Sequence, residues 1–171
     1  MKTIGLIERL TRWAGYVGAL LTFPLVASLV YEVFSRYVLG RPTLWAFEIS
    51  YMVMGAIFML GMANALRVGQ HVSVDVVSQR FAPRTKALVN LVCYAGFLPV
   101  LGWLVWELSF YALEAFASSE RSGRSAWNPV IWPVFSVWLL GFLLLALQVI
   151  AEMLKFAATL TGRAVGQGEG S

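Results

Sequence analysis

Four stretches of the chain carry no Asp, Glu, Lys or Arg: Trp13–Tyr31, Ile49–Leu66, Ala87–Trp106 and Ser125–Ala151, which are 19, 18, 20 and 27 residues long. A helix needs about 20 apolar residues to cross roughly 30 Å of hydrocarbon. Four such runs in 171 residues leave little chain for a water-soluble domain. Composition agrees: 59% of residues are hydrophobic and 13% charged, where a soluble domain has about 25% charged. The mean hydropathy is +0.73. The expectation is an all-α membrane protein with four transmembrane helices and short interfacial helices at the N-terminus and in the 67–86 loop. One membrane domain over 1–155 would hold spans at about 13–35, 44–66, 87–110 and 131–154, followed by a Gly-rich, disordered cytoplasmic tail, 156–171.

The first run is too long for the roughly 7–15-residue core of a signal peptide, and no A-x-A-like site follows it, so it reads as a retained span. Alternate sides of the membrane carry nine and four Lys and Arg residues. The richer side has Lys2, Arg9 and Arg12, then Arg67, Arg80, Arg84 and Lys86, then Lys155 and Arg163. The positive-inside rule therefore places both termini and the 67–86 loop in the cytoplasm. The formal charge of +4 follows from this topology and from lipid headgroups, and nothing in the sequence supports nucleic-acid binding. One His and one Cys are too few for an intrachain zinc site, a bis-histidine haem or a disulfide. No metal or cofactor is expected.

The opening "MKTIGLIERLTRW" sets Ile4, Ile7 and Leu10 at helical spacing beside charged residues, as an interfacial helix does. Pro24 should bend the first span. Ala14/Gly18 and Gly15/Ala19 allow close approach of another helix. Trp45 suits a headgroup-level anchor for span two. Met52, Gly55, Met59 and Met62 form one stripe, either for packing or as a deformable partner surface.

The charged residues near the membrane need a separate account. Glu32 and Arg36 are four apart in the favourable order for a helical ion pair, and Glu48 begins the next span across a short loop. With Arg41 they can form a charge cluster that pins the hairpin. An ionisable residue in a span is also a functional hypothesis, and a proton-coupled carrier would use Glu32 or Glu48. "RVGQHVSVDVV", residues 67–77, holds the single histidine. Gly69 permits a sharp turn, and a short helix capped by Ser73 with Asp75 in its first turn would lie on the interface. His71 and Asp75 can fasten its start. As a catalytic dyad they lack a nucleophile, and no enzyme activity is expected. The polar 117–129 segment reads as an exposed outer loop, either solvated or a docking surface.

Taken together, these segments resemble the small membrane subunit of the tripartite ATP-independent periplasmic (TRAP) transporters. The resemblance rests on Glu32, Arg36 and Tyr37, on "LWAFEIS" with Trp45 and Glu48, and on "LGMANALRVGQHVSVDVV" with Gly69, His71, Val72 and Asp75. Pro83, "WNPVIWP" and "LLLALQ" extend it to the fourth span.

The resemblance implies a scaffold packed against a larger multi-span membrane subunit, which carries substrate and sodium sites. It also implies a periplasmic solute-binding protein as transient partner. Uptake of small carboxylates or related organic acids would be driven by an ion gradient, in the bacterial inner membrane. The residue-level reading agrees, since no glutamate falls at mid-span and no span looks broken to bind an ion. The competing function is a self-sufficient homodimeric proton-coupled carrier.

Overall fold

The computed structural model describes residues 2–69 and 83–160, which form five helices. They are α1 (Lys2–Leu20), α2 (Thr22–Tyr37), α3 (Ala46–Arg67), α4 (Pro83–Ala117) and α5 (Trp132–Leu160). Together they supply four segments long and apolar enough to cross a membrane, with α1 and α2 joined in the first of them, Thr3–Tyr37.

Pro24 explains why the first segment is two helices. Proline lacks an N–H and its ring crowds the carbonyl four residues back, here that of Leu20. The helical run is interrupted at Leu21, while bonds from Leu21 N–H to Val17 O (3.0 Å) and Leu25 N–H to Leu21 O (3.2 Å) bridge the interruption. The charged N-terminal segment is the opening of α1 itself, continuous with the span. Pro99, by contrast, lies inside α4 without ending it. Proline at position 83 opens α4, where its missing N–H would have no helical partner in any case.

Helix α3 ends where glycine is required. Val68 N–H reaches Asn64 O at 3.1 Å, and Gly69 follows with φ of +71° and an N–H to Leu66 O at 3.1 Å. That left-handed position satisfies the last carbonyls of the helix and strains any residue with a Cβ.

The spans form an open row rather than a closed bundle. Helices α1 and α2 pack on α3, α3 packs on α5 and α5 on α4, with α1 also reaching α5. Among the described residues α4 makes its substantial contacts with α5 alone. Accordingly, 33% of the apolar window of α5 is buried, against 6% for α4. The core runs along the middle of the row, through Leu60, Ala63 and Leu66 of α3, Leu101 of α4, and Leu144, Leu145 and Val149 of α5.

Missing side chains set the spacing of α3 and α5. A Cβ on Gly141 would lie 2.7 Å from both Met59 Cβ and Met59 O, and one on Gly55 would lie 2.9 Å from Trp138 Nε1. Three members of the Met52/Gly55/Met59/Met62 stripe thus face into the protein: Gly55 and Met59 meet α5, and Met62 borders the core. Gly15 closes similarly on the Asn64 side chain, and Gly18 packs against Leu60, so the small face of α1 is its contact with α3.

Candidate functional site

Polar side chains gather at the two ends of the row. At the end bearing the 38–45 and 118–131 loops, Glu32 organises the turn after α2. Its Oε1 accepts from Arg36 Nη2 at 2.5 Å and Nε at 2.9 Å, and its Oε2 accepts from the Thr43 backbone N–H at 2.9 Å and from the Thr43 hydroxyl. The helical spacing of four brings the ion pair together, and the backbone bond ties the loop to it. Arg41 joins through its main chain: its N–H donates to Ser35 O at 3.0 Å, and its carbonyl accepts from the Ser35 hydroxyl. Tyr31 stacks on Trp45 with ring centroids 5.7 Å apart, fixing α2 against the start of α3.

Glu48 lies elsewhere. Instead of completing a four-charge cluster with Glu32, Arg36 and Arg41, it is 1% exposed and accepts from Ser122 Oγ at 2.5 Å. It occupies the first turn of α3, where the helix dipole favours a negative charge. One turn on, the Tyr51 ring lies under the Arg124 guanidinium, 4.6 Å from its centroid. The loop is itself built: Arg121 and Val130 bridge, Ile131 N–H donates to Glu120 O at 3.1 Å, and Gly123 N–H donates to Asn128 Oδ1 at 2.8 Å. The 117–129 segment is therefore a compact cap latched onto α3.

At the opposite end, Lys155 of α5 lies 2.8 Å from Glu8 Oε1 of α1 and 2.6 Å from Glu152 Oε1. Glu152 also accepts from Gln148 Nε2 at 2.8 Å. Tyr94 stacks on Phe156 beside this group at 5.9 Å. The cluster joins the first helix to the last, and the sequence reading did not single it out. The signal available was depth, because Glu8 and Lys155 each lie beyond the same end of an apolar run.

Chemically, both ends hold helices and loops in place. Every carboxylate described above has a cation or hydroxyl partner, and the two hydroxyls, of Thr43 and Ser122, donate to carboxylates and so fasten loops to helices. Among the described residues no group of three or more His, Cys, Asp or Glu side chains is arranged to hold a metal. His71 and Asp75 lie outside the described residues; Gly69, just before them, makes the expected turn.

The family model for the DctQ component of tripartite ATP-independent periplasmic transporters matches residues 25–159, most of the chain. The chain belongs to this family. A DctQ component is a small membrane subunit of a TRAP transporter, and the four apolar segments make this one a multi-pass membrane protein. No curated protein and no solved structure matches the chain. The match begins one residue after Pro24 and covers most of α2, all of α3 and α4 and nearly all of α5, so both Glu32 and Glu48 fall within it while Glu8 does not.

Proposed function

We propose that this DctQ component is the scaffold of an ion-gradient-driven, binding-protein-dependent uptake system for small carboxylates or related organic acids. It supports a larger multi-span subunit that carries the substrate and sodium sites, and a periplasmic solute-binding protein docks transiently. The family match over 25–159 carries the reading. The form of the chain supports it: among the described residues α4 packs mainly on α5, and Trp103, Trp106, Phe110, Leu113 and Phe116 along it are exposed. A large contiguous apolar surface suits lipid and a membrane partner. The polar residues support it too, since Glu32 and Glu48 are both engaged in holding loops.

The nine-to-four distribution of Lys and Arg supports an orientation with both termini in the cytoplasm of a bacterial cell, in which the cap over Glu48 faces the periplasm. His71 and Asp75 belong to assembly: His71→Ala and Asp75→Ala lower the abundance of the complex and leave turnover per assembled complex intact.

Reconstitution tests the proposal. Vesicles holding this chain alone take up no organic acid under a sodium or proton gradient, and uptake requires the large subunit and binding protein together. Gradient-driven, pH-dependent uptake by this chain alone, lost in Glu32→Gln or Glu48→Gln, would establish the homodimeric carrier instead.

A further inference from the structure

Helix α1 has two chemically distinct faces. At 3.6 residues per turn, Ile4, Ile7, Glu8, Thr11, Ala14, Gly15 and Gly18 share about a third of the helix circumference. Thr11 is fully buried, Gly15 and Gly18 pack on α3, and Glu8 pairs with Lys155 of α5. Arg9, Arg12, Trp13, Tyr16 and Leu20 fall on the opposite side within an arc of about 100°. All five are exposed, with Trp13, Tyr16 and Leu20 at 65%, 61% and 66%. Trp13 and Tyr16 meet edge to face, centroids 6.4 Å apart.

The charge on this face is uncompensated. Glu8 is the one acidic residue of α1, and it is turned to Lys155, so neither Arg9 nor Arg12 has an acidic partner among the described residues. Their depth is fixed as well. The α1–α2 segment is 35 residues long, about 52 Å, against roughly 30 Å of hydrocarbon. Counting about 20 residues back from the Glu32–Arg36 pair reaches Arg12. The contact of Glu8 with Lys155, near the end of α5, sets the same level from a second helix. Two unpaired guanidiniums thus stand where headgroup phosphates are, flanked by the two aromatic types that favour that layer. Val17, Leu20 and Phe23 continue toward the bilayer centre, all exposed.

We propose that the outward face of α1 formed by Arg9, Arg12, Trp13 and Tyr16 is a binding site for an acidic phospholipid. The phosphate diester lies against the two guanidiniums, Trp13 and Tyr16 flank the glycerol region, and the acyl chains run along Val17, Leu20 and Phe23. The charge complementarity comes from the structure: by taking Glu8, Lys155 leaves α1 with a purely basic face toward the lipid. The site is independent of the transport role and of the large subunit.

The test is native mass spectrometry of the full chain, purified in mild detergent with whatever protein stays bound, titrated with phosphatidylglycerol and phosphatidylcholine of matched acyl chains. The wild type is expected to prefer phosphatidylglycerol by about tenfold. Arg9→Gln/Arg12→Gln removes most of that preference, whereas Arg9→Lys/Arg12→Lys, which keeps the charge, retains most of it. Should the glutamine pair fail to fold, Trp13→Ala/Tyr16→Ala shortens retention of the bound lipid in its place. Equal affinity for the two lipids in the wild type overturns the site. So does a preference that survives the glutamine pair. Loss of a bound protein chain, with lipid retention unchanged, overturns it as well, because the face would then belong to a protein partner.

Discussion

Ser122 lies 74 positions after Glu48 in the chain, and its hydroxyl donates to the Glu48 carboxylate at 2.5 Å. The bond closes the loop between α4 and α5 over the first turn of α3, and Arg124 over Tyr51 adds a second contact on the same helix. It requires α3 and α5 to be neighbours in the row, which Gly141 and Gly55 permit. A residue pair remote in sequence thus reports on the order of the helices.

Removing the hydroxyl should unlatch the cap. A hydrogen bond to a charged group is worth about 1.5–3 kcal/mol, so Ser122→Ala is expected to speed tryptic cleavage at Arg121 and Arg124 by about tenfold or more, since the cleavage rate follows local opening. Glu48→Gln keeps an acceptor and has the smaller effect. Cleavage at the wild-type rate in Ser122→Ala would show that the latch contributes nothing to loop order.

Gly141 carries the closest approach in the row. Gly141→Ala forces α5 away from Met59 and is expected to destabilise the chain by about 1–3 kcal/mol, read as a lower thermal midpoint in detergent. Gly61 is also helical, but an added Cβ there meets nothing within 4 Å. Gly61→Ala is therefore expected to be neutral or slightly stabilising, because alanine is the better helix former. Equal effects at the two positions would contradict the helix spacing.

The Glu8–Lys155 contact joins α1 to α5 with side chains 31% and 26% exposed, so solvent screens much of it. A double-mutant cycle is expected to give a coupling of about 1 kcal/mol or less. Lys155→Ala alone should cost more than Glu8→Ala, since Glu152 loses its ammonium partner as well. The comparison is made by thermal unfolding of the four proteins.

Glu32→Gln tests role against structure. The Oε2 acceptor for Thr43 and the charge opposite Arg36 are both compromised. The expected outcome is less assembled complex in the membrane, with uptake per complex unchanged. Full assembly with abolished uptake would instead make Glu32 part of the transport step.

The local features of this fold were legible in the sequence and the long-range ones were not. Charge-free runs mark the four spans, the spacing of Glu32 and Arg36 marks their pair, Gly69 marks a turn and Pro24 a distortion of the first span, expected as a bend and found as a break at Leu21, because each depends on neighbours within about one helical turn. By sequence alone, Glu48 belongs with the charge cluster nearest to it along the chain. Its partner instead comes from a loop whose position follows from the packing of α5 on α3, and no periodicity in either helix encodes that neighbour. The Glu8–Lys155 contact escaped for the same reason. The spacing of Met52, Gly55, Met59 and Met62 favours packing over a partner surface, and Trp138 and Gly141 of α5 lie against Gly55 and Met59.

The most direct test of the scaffold role is affinity purification of this chain from native membranes in mild detergent, with mass spectrometry of what remains bound. The expected result is one much larger multi-span membrane protein at fixed stoichiometry, held through the exposed apolar surface of the row. Recovery of this chain alone, as a stable homodimer, would contradict the scaffold role and turn attention to Glu32 and Glu48 as proton-coupling residues.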